Sequence, residues 1–128
     1  MIKIEHLYKD YSKDIKVLKD ISFTFEDGKT YAIIGSSGGG KSTLIRCLNM
    51  LEVPSEGTIT LDGVVVNDPK TDLTRVREKM GMVFQNFNLF AHMDAKKNVA
   101  YALMKVKHMS KEDAYAKAKE MLEKVGMG

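Results

Sequence analysis

The 128-residue sequence predicts an α/β fold that begins with antiparallel strands. Apolar side chains alternate over the first thirty residues, which is typical of half-buried strands. A short apolar run at 31–34 then leads through a glycine-rich loop into an apolar stretch at 44–51, which predicts a buried strand, a loop and a helix in that order. Two later segments, 95–104 and 110–126, carry apolar residues at helical spacing.

The glycine-rich loop has a recognisable phosphate-binding pattern. Residues 35–43 read Gly-Ser-Ser-Gly-Gly-Gly-Lys-Ser-Thr and match G-x-x-x-x-G-K-[ST], with Gly35 and Gly40 at the fixed glycines. Glycines let successive backbone N–H groups point at phosphate oxygens, and the helix that follows places its positive end beneath them. In such a P-loop Lys41 reaches the β- and γ-phosphates, and the Ser42 hydroxyl ligates Mg²⁺. The pattern predicts nucleotide binding.

Composition indicates a folded domain of ordinary type. The chain is 44% hydrophobic and 29% charged, which excludes a disordered composition. Its formal charge of +3 is mild, and the lysines of 105–124 alternate with acids, which favours a solvated helix face over a nucleic-acid surface. No apolar run approaches the roughly 18–20 residues of a membrane span. The single cysteine, Cys47, lies among apolar residues and is predicted to be buried.

Alternation and turn chemistry define the remaining strands. Ile2 and Ile4 are expected on one face of the first strand, with His6 as a further candidate for that face. The second strand presents Ile21, Phe23 and Phe25 on one face. The segment 54–57 predicts a turn. Asp62-Gly63 then predicts a hairpin between 58–61 and 64–66, and 80–84 predicts an apolar strand that ends at Gln85.

Capping residues mark the helices of the second half. A short charged helix is expected over 72–79, and a longer one over 95–104. Ser110 begins a further helix with a pattern that resembles a capping box, and Gly126 is its predicted C-terminal cap. The predicted apolar face of that helix is Ala114, Ala118, Met121, Leu122 and Val125.

Three segments together resemble one protein family. They are Gly35-Ser-Ser-Gly-Gly-Gly-Lys-Ser-Thr-Leu-Ile-Arg-Cys-Leu-Asn, Leu51-Glu-Val-Pro-Ser-Glu-Gly-Thr-Ile and Gly81-Met-Val-Phe-Gln-Asn-Phe-Asn-Leu-Phe. The chain resembles the ATP-binding subunits of ATP-binding cassette (ABC) transporters, particularly importers of polar amino acids such as glutamine and histidine. The resemblance covers all 128 residues but only the first half of a typical family member.

The resemblance implies an α/β fold: a P-loop NTPase core like that of ABC ATPases, with an N-terminal antiparallel β subdomain. Residues 1–128 would be the N-terminal part of one ATP-binding domain. Within it, 1–30 form the β-rich part, and 31–128 form the P-loop core through the glutamine loop to the start of a helical region. The chain would be truncated before the family's signature and acidic-strand motifs.

The resemblance also implies ATP and Mg²⁺ as cofactors and assigns roles to residues. Tyr11 lies where the family stacks an aromatic ring on adenine; the alternative is an ordinary loop tyrosine. Gln85 lies where a glutamine contacts Mg²⁺ and the hydrolytic water; the alternative is a solvated residue at a strand end. Lys41 and Gln85 are the candidate catalytic residues, and Ser42 and Gln85 are the candidate metal ligands. The candidate cofactor-binding residues are Tyr11, Gly35, Ser36, Ser37, Gly38, Gly39, Gly40, Lys41, Ser42, Thr43 and Gln85.

The expected partners follow from the same family. The apolar loop 86–93, with Phe87, Leu89 and Phe90, is interpreted either as a hydrophobic cluster that packs inward or as a docking patch for the transmembrane subunits. The resemblance further implies a second ATP-binding subunit as dimer partner and, indirectly, a periplasmic or lipid-anchored amino-acid binding protein. It implies no nucleic-acid partner. It also implies that the protein lies peripherally on the cytoplasmic face of a prokaryotic cell membrane.

The sequence departs from the family pattern in ways that limit its expected activity. Ser36, Gly39 and Ala91 replace a proline, a serine and a proline that relatives usually have. The 128 residues contain no signature motif, no acidic strand end with a catalytic glutamate and no switch histidine. The parent protein is expected to be the ATPase of an amino-acid importer. Because these motifs are missing, this chain alone is expected to bind nucleotide without turnover. The alternatives are a non-enzymatic fragment that self-associates, or another P-loop NTPase such as a small-molecule kinase.

Overall fold

A computed structural model of the chain describes residues 1–36, 39–84, 86 and 88–128. It has two compact units, Met1–Met80 and Gly81–Gly128. Within the described residues, no helix has the length and apolar character needed to cross a membrane. The expected division at residue 30 into a β-rich part and a P-loop part stays a prediction.

The first unit contains an antiparallel sheet of four strands in the order β2-β1-β3-β4. The strands are β1 Ile2–Asp10, β2 Lys16–Phe25, β3 Glu56–Leu61 and β4 Val64–Val65. Two helices accompany them, α1 Lys41–Leu48 and α2 Leu73–Glu78. The second unit contains α3 Ala95–Lys105 and α4 Lys111–Lys124. The predicted N-terminal antiparallel sheet is confirmed.

The β3–β4 connection forms the predicted hairpin. Asp62 and Gly63 both have positive φ, 48° and 85°, which is the backbone that the two central residues of a type I′ turn require. Thr60 pairs with Val65 and Leu61 pairs with Val64 across this turn. The segment 54–57 differs from its prediction, because Glu56 and Gly57 already belong to β3, and Glu56 pairs with Tyr8 of β1.

The core of the first unit combines strand and helix residues. Its buried members are Ile4, Leu7, Leu18, Cys47, Ile59, Leu61, Val66 and Val76. The predicted burial of Cys47 is confirmed, and this burial raises the pKa of its thiol. Because Cys47 lies on α1, the core fixes the helix that follows the P-loop against the sheet.

A β-bulge in β1 corrects the predicted apolar face of that strand. The register of β1 shifts between Ile4 and Leu7, and His6 has a φ of 49°. A bulge adds a residue to one strand, so the side chains beyond it change faces. His6 is therefore exposed and lies 2.7 Å from the Asp20 carboxylate, while Leu7 takes the buried position.

Two predicted strands are not strands in the structure. Neither 31–34 nor 80–84 belongs to the sheet, and Ile34 and Val83 are 93% and 96% exposed. The prediction of buried strands there is therefore wrong for the described residues. A strand requires a neighbour to pair with, and an apolar run alone does not supply that neighbour. The described strands all pair within the β2-β1-β3-β4 sheet.

Helix α4 of the second unit begins and ends where its caps predict. The Ser110 hydroxyl accepts a hydrogen bond from the Asp113 N–H at 3.1 Å, which confirms the predicted start of α4. Gly126 has a φ of 77°, and the next N–H bonds to the Leu122 carbonyl at 2.8 Å, so the helix ends in the left-handed cap expected of glycine. Ala114 and Ala118 are buried as predicted, whereas Val125 is exposed.

Candidate functional site

Helix α1 begins directly at the P-loop lysine. It spans Lys41–Leu48, three residues earlier than the predicted start at 44. Gly40 precedes it with a φ of 91°, a left-handed conformation that favours glycine. A Cβ atom on Gly40 would lie 3.1 Å from the Val17 carbonyl oxygen and from Leu18 Cδ2. Backbone conformation and close packing against β2 therefore both require glycine at this fixed position of the motif.

The start of α1 lacks the side-chain cap that the other described helices have. Asp72, Asp94 and Ser110 each accept a hydrogen bond from the first turn of α2, α3 and α4. Gly40 offers no side chain to the first turn of α1. The free N–H groups and partial positive charge at such a helix start suit an anion. A phosphate group fits this position.

Lys41 closes the loop in the structure. Its ammonium donates a hydrogen bond to the Gly35 carbonyl oxygen, which joins the beginning of the loop to its end. The Gly39 N–H donates to the Ser36 carbonyl oxygen at 3.1 Å. Ser42, beside Lys41, is exposed and available to a metal ion. Lys41 thus lies over the loop, whereas Ser37 and Gly38 lie outside the described residues.

Tyr11 lies next to the first turn of α1. Its hydroxyl group is 3.4 Å from Thr43 Oγ1, and Thr43 is the buried hydroxyl residue of that turn. Tyr11 is 50% exposed, so part of its ring is accessible to a ligand. The structure therefore brings two predicted site residues together across 32 positions of sequence. The predicted site residue Gln85 lies outside the described residues.

A residue that the sequence reasoning missed lies beneath Tyr11. The Lys9 ammonium is 5.1 Å from the centroid of the Tyr11 ring, a cation–π distance. It also donates a hydrogen bond to the Val53 carbonyl oxygen at 2.7 Å and lies 3.6 Å from the Glu52 carboxylate. No local signal marks the position of Lys9, because the two residues that bind its ammonium, Glu52 and Val53, are more than forty positions away.

The described part of the apolar loop 86–93 is partly packed inward and partly exposed. The Phe90 ring lies 4.9 Å from the Tyr101 ring on α3, so Phe90 packs inward in part. Leu89 is 71% exposed and faces outward. An apolar groove of about 410 Å³ lies here within the second unit, and its lining includes Leu89, Phe90, Met93, Val99, Leu122 and Met127. Phe87 lies outside the described residues.

Asn98 fixes the conformation of this loop. Its side-chain oxygen accepts from the Phe90 N–H at 2.8 Å, and its amide donates to the carbonyl oxygens of Phe90, Met93 and Asp94 at 3.2, 3.1 and 2.9 Å. The sequence reasoning missed this residue. Asparagine is a poor helix former, so its presence inside the predicted helix 95–104 could have indicated a role in side-chain hydrogen bonding.

Replacing Asn98 tests its role in the loop. We expect Asn98→Ala to lower the free energy of unfolding by about 1–3 kcal/mol, because it removes the partners of several backbone groups. The change should also accelerate hydrogen exchange at the Phe90 amide, as measured by NMR. Lys97→Ala, an exposed neighbour on the same helix, is the control and should leave that amide protected. Unchanged exchange in Asn98→Ala would contradict this role.

These features define a P-loop protein whose loop and first helix pack against an antiparallel sheet. Comparison with known proteins gives the family: the ABC transporter family profile matches residues 18–128. The chain belongs to the ABC transporter family. The arginine transport ATP-binding protein ArtM and the glutamine transport ATP-binding protein GlnQ, both of Bacillus subtilis, are 50% and 46% identical to it over 127 residues. Those alignments cover 99% of this chain and 52% of each relative.

Solved structures confirm the fold. The dimeric post-hydrolysis state of the ATP-binding cassette MJ0796, bound to ADP and Pi, matches with a TM-score of 0.87 and 35% sequence identity. The match covers 96% of this chain and 56% of that one. Another match, CbiO1 from Clostridium perfringens, has a TM-score of 0.77 and 29% identity. The predicted ABC ATPase-like fold is confirmed, and the chain spans about half the length of the curated relatives it matches.

Proposed function

We propose that this chain carries the P-loop portion of the ATP-binding subunit of an ABC importer. The observation that carries the proposal is the junction of loop and α1. There, the Lys41 ammonium lies over the loop and the helix start has no side-chain cap. Lys41 would bind the β- and γ-phosphates, and the N–H groups of the first turn would bind phosphate oxygens. Bound Mg²⁺ would neutralise phosphate charge, and the exposed Ser42 hydroxyl suits it as a ligand.

The other predicted site residues complete this proposal. Tyr11 would stack on adenine through its accessible ring, next to the helix that binds the phosphates. Gln85 would contact Mg²⁺ and the attacking water, and Gly35, Ser36, Ser37, Gly38, Gly39, Gly40 and Thr43 would form the loop around the phosphates. Because Ser37, Gly38 and Gln85 lie outside the described residues, their roles rest on the sequence pattern.

A calorimetric titration tests nucleotide binding. We expect ATP with Mg²⁺ and inorganic tripolyphosphate both to bind, since the loop recognises phosphates, and adenosine alone to bind far more weakly. Adenosine that bound as tightly as ATP would contradict a phosphate-centred site.

Hydrolysis is a separate prediction. We expect no sustained phosphate release from the 128-residue polypeptide, because it lacks a catalytic carboxylate at an acidic strand end.

The transported solute in this proposal is a polar amino acid. Support comes from the relatives, whose names specify arginine and glutamine transport. The proposed assembly has two ATP-binding subunits, as in the dimeric MJ0796 structure, on the cytoplasmic face of a prokaryotic membrane. An amino-acid binding protein would deliver the solute to the transmembrane subunits.

We further propose that the groove of the second unit receives a segment of the transmembrane subunit. The groove is apolar, its volume is about 410 Å³, and Leu89 at its edge is exposed. A large accessible apolar surface of this kind is typical of an interaction site. Asn98 holds the backbone of Phe90 and Met93 beside the groove, so its shape is fixed before a partner arrives.

An exposed residue of the groove permits a clean test. We expect Leu89→Glu in the full-length subunit to prevent co-purification of the cognate membrane subunits, because a charge would be buried in an apolar contact. ATP affinity should not change, since Leu89 is no part of the P-loop. Val64→Glu, an exposed apolar residue of β4, is the control and should leave the complex intact. A stable complex with Leu89→Glu would contradict the docking proposal.

A further inference from the structure

We infer that Lys9 is a positioning residue for the nucleotide base, acting through the Tyr11 ring. Lys9 was not among the predicted site residues and does not belong to the P-loop. Its ammonium lies 5.1 Å from the centroid of the Tyr11 ring. A cation at this distance is attracted to the face of an aromatic ring. This inference rests on the proposed ATP binding and extends it to how the base is held.

Lys9 is itself held firmly in place. Its side chain is only 14% exposed, and its ammonium donates to the Val53 carbonyl oxygen at 2.7 Å. The Glu52 carboxylate lies 3.6 Å away and is also largely shielded from water. A lysine on a solvated surface would sample many rotamers, whereas these two partners restrict this one. The ammonium therefore has a defined position relative to the ring.

Tyr11 is held at three points, one on its backbone and two on its side chain. Its backbone N–H donates to the Ile15 carbonyl oxygen at 2.8 Å, which closes the turn between β1 and β2. Its hydroxyl lies 3.4 Å from Thr43 Oγ1, at the first turn of α1. The Lys9 ammonium provides the third point, at the ring face. Together they set the plane of the ring relative to the helix that would bind the phosphates.

The position of Lys9 determines where a base can stack. Because the ammonium occupies one face of the Tyr11 ring, an aromatic base can stack only on the other face. A ring that is already oriented loses less conformational freedom when the base binds, which increases affinity. Lys9 should therefore contribute to binding of the base and not to binding of the phosphates.

The test compares two ligands that share the phosphate chain. Lys9→Met keeps the length of the side chain and removes its charge. We expect it to weaken ATP binding about three- to tenfold, which is less than the loss of a whole base–aromatic stack would cause. Affinity for inorganic tripolyphosphate, which has no base, should stay the same. Lys9→Arg keeps a cation near the ring and should restore most of the ATP affinity. In a Tyr11→Ala background, Lys9→Met should have little further effect.

Each alternative result has a distinct meaning. Unchanged ATP affinity in Lys9→Met would overturn the inference, as would an equal loss for ATP and tripolyphosphate, which would indicate a general structural role. Additive losses from Lys9→Met and Tyr11→Ala would overturn it too. Failure of the unmodified full chain to bind either ligand would instead refute the proposed ATP binding. The two proposals therefore fail in different ways.

Discussion

Replacing Lys41 with alanine is expected to weaken ATP binding by about 2 kcal/mol or more, close to a thirtyfold loss, as removal of a charge-assisted hydrogen bond implies. In the structure the Lys41 ammonium donates to the neutral carbonyl oxygen of Gly35. A phosphate oxygen carries negative charge and is the stronger acceptor, so ligand binding would exchange one partner for a better one. Calorimetric titration of both proteins with ATP and Mg²⁺ measures the difference.

Tripolyphosphate and a surface lysine make the Lys41 result specific. Lys41→Ala should weaken tripolyphosphate binding by the same factor as ATP binding, because the lysine would contact only phosphates. Lys70→Ala removes an exposed lysine of the same unit and should change neither affinity. Equal ATP affinity for Lys41→Ala and the unmodified protein would refute the assignment of Lys41. Together with the Lys9 test, this comparison separates the phosphate half of the proposed site from its base half.

Local chemistry made much of the fold predictable. The Asp62-Gly63 hairpin follows from the positive φ that both turn residues adopt. The start of α4 at Ser110 follows from a side chain that accepts the Asp113 N–H, and its end follows from Gly126. The P-loop is equally local, since a stretch of nine residues specifies the loop and the helix after it.

Two contacts near the candidate site that were not predicted join residues far apart in sequence. The contact between Tyr11 and Thr43 spans 32 positions, and that between Lys9 and Val53 spans 44. No periodicity encodes such contacts, because they arise from strand register and from where α1 packs. The run 31–34 shows the opposite kind of error, a local signal that the fold does not follow. Its apolar character predicted a buried strand, yet Ile34 is exposed. Pairing with a neighbour, and not composition alone, makes a strand.

The bulge in β1 is a third long-range feature, and a glycine on the neighbouring strand accommodates it. Gly57 has a φ of 101°, and β3 brings it directly against the bulge. A Cβ atom on Gly57 would lie 2.4 Å from the His6 carbonyl oxygen and 2.7 Å from Leu7 Cα. Both are backbone atoms within a paired strand, so they cannot move aside as the end of a flexible side chain can. Only glycine fits between the two strands here.

Gly57→Ala is therefore expected to lower the free energy of unfolding by about 3 kcal/mol or more, which combines left-handed strain with overpacking. Gly63→Ala is the matched control: its φ of 85° imposes similar strain, but nothing lies within 4 Å of an added Cβ atom. That variant should lose only about 1–2 kcal/mol. Urea unfolding of both variants isolates the steric contribution, and equal losses would refute it. The bulge lies just before Lys9 on β1 and Tyr11 in the turn that follows, so Gly57→Ala should also bind ATP more weakly than Gly63→Ala does.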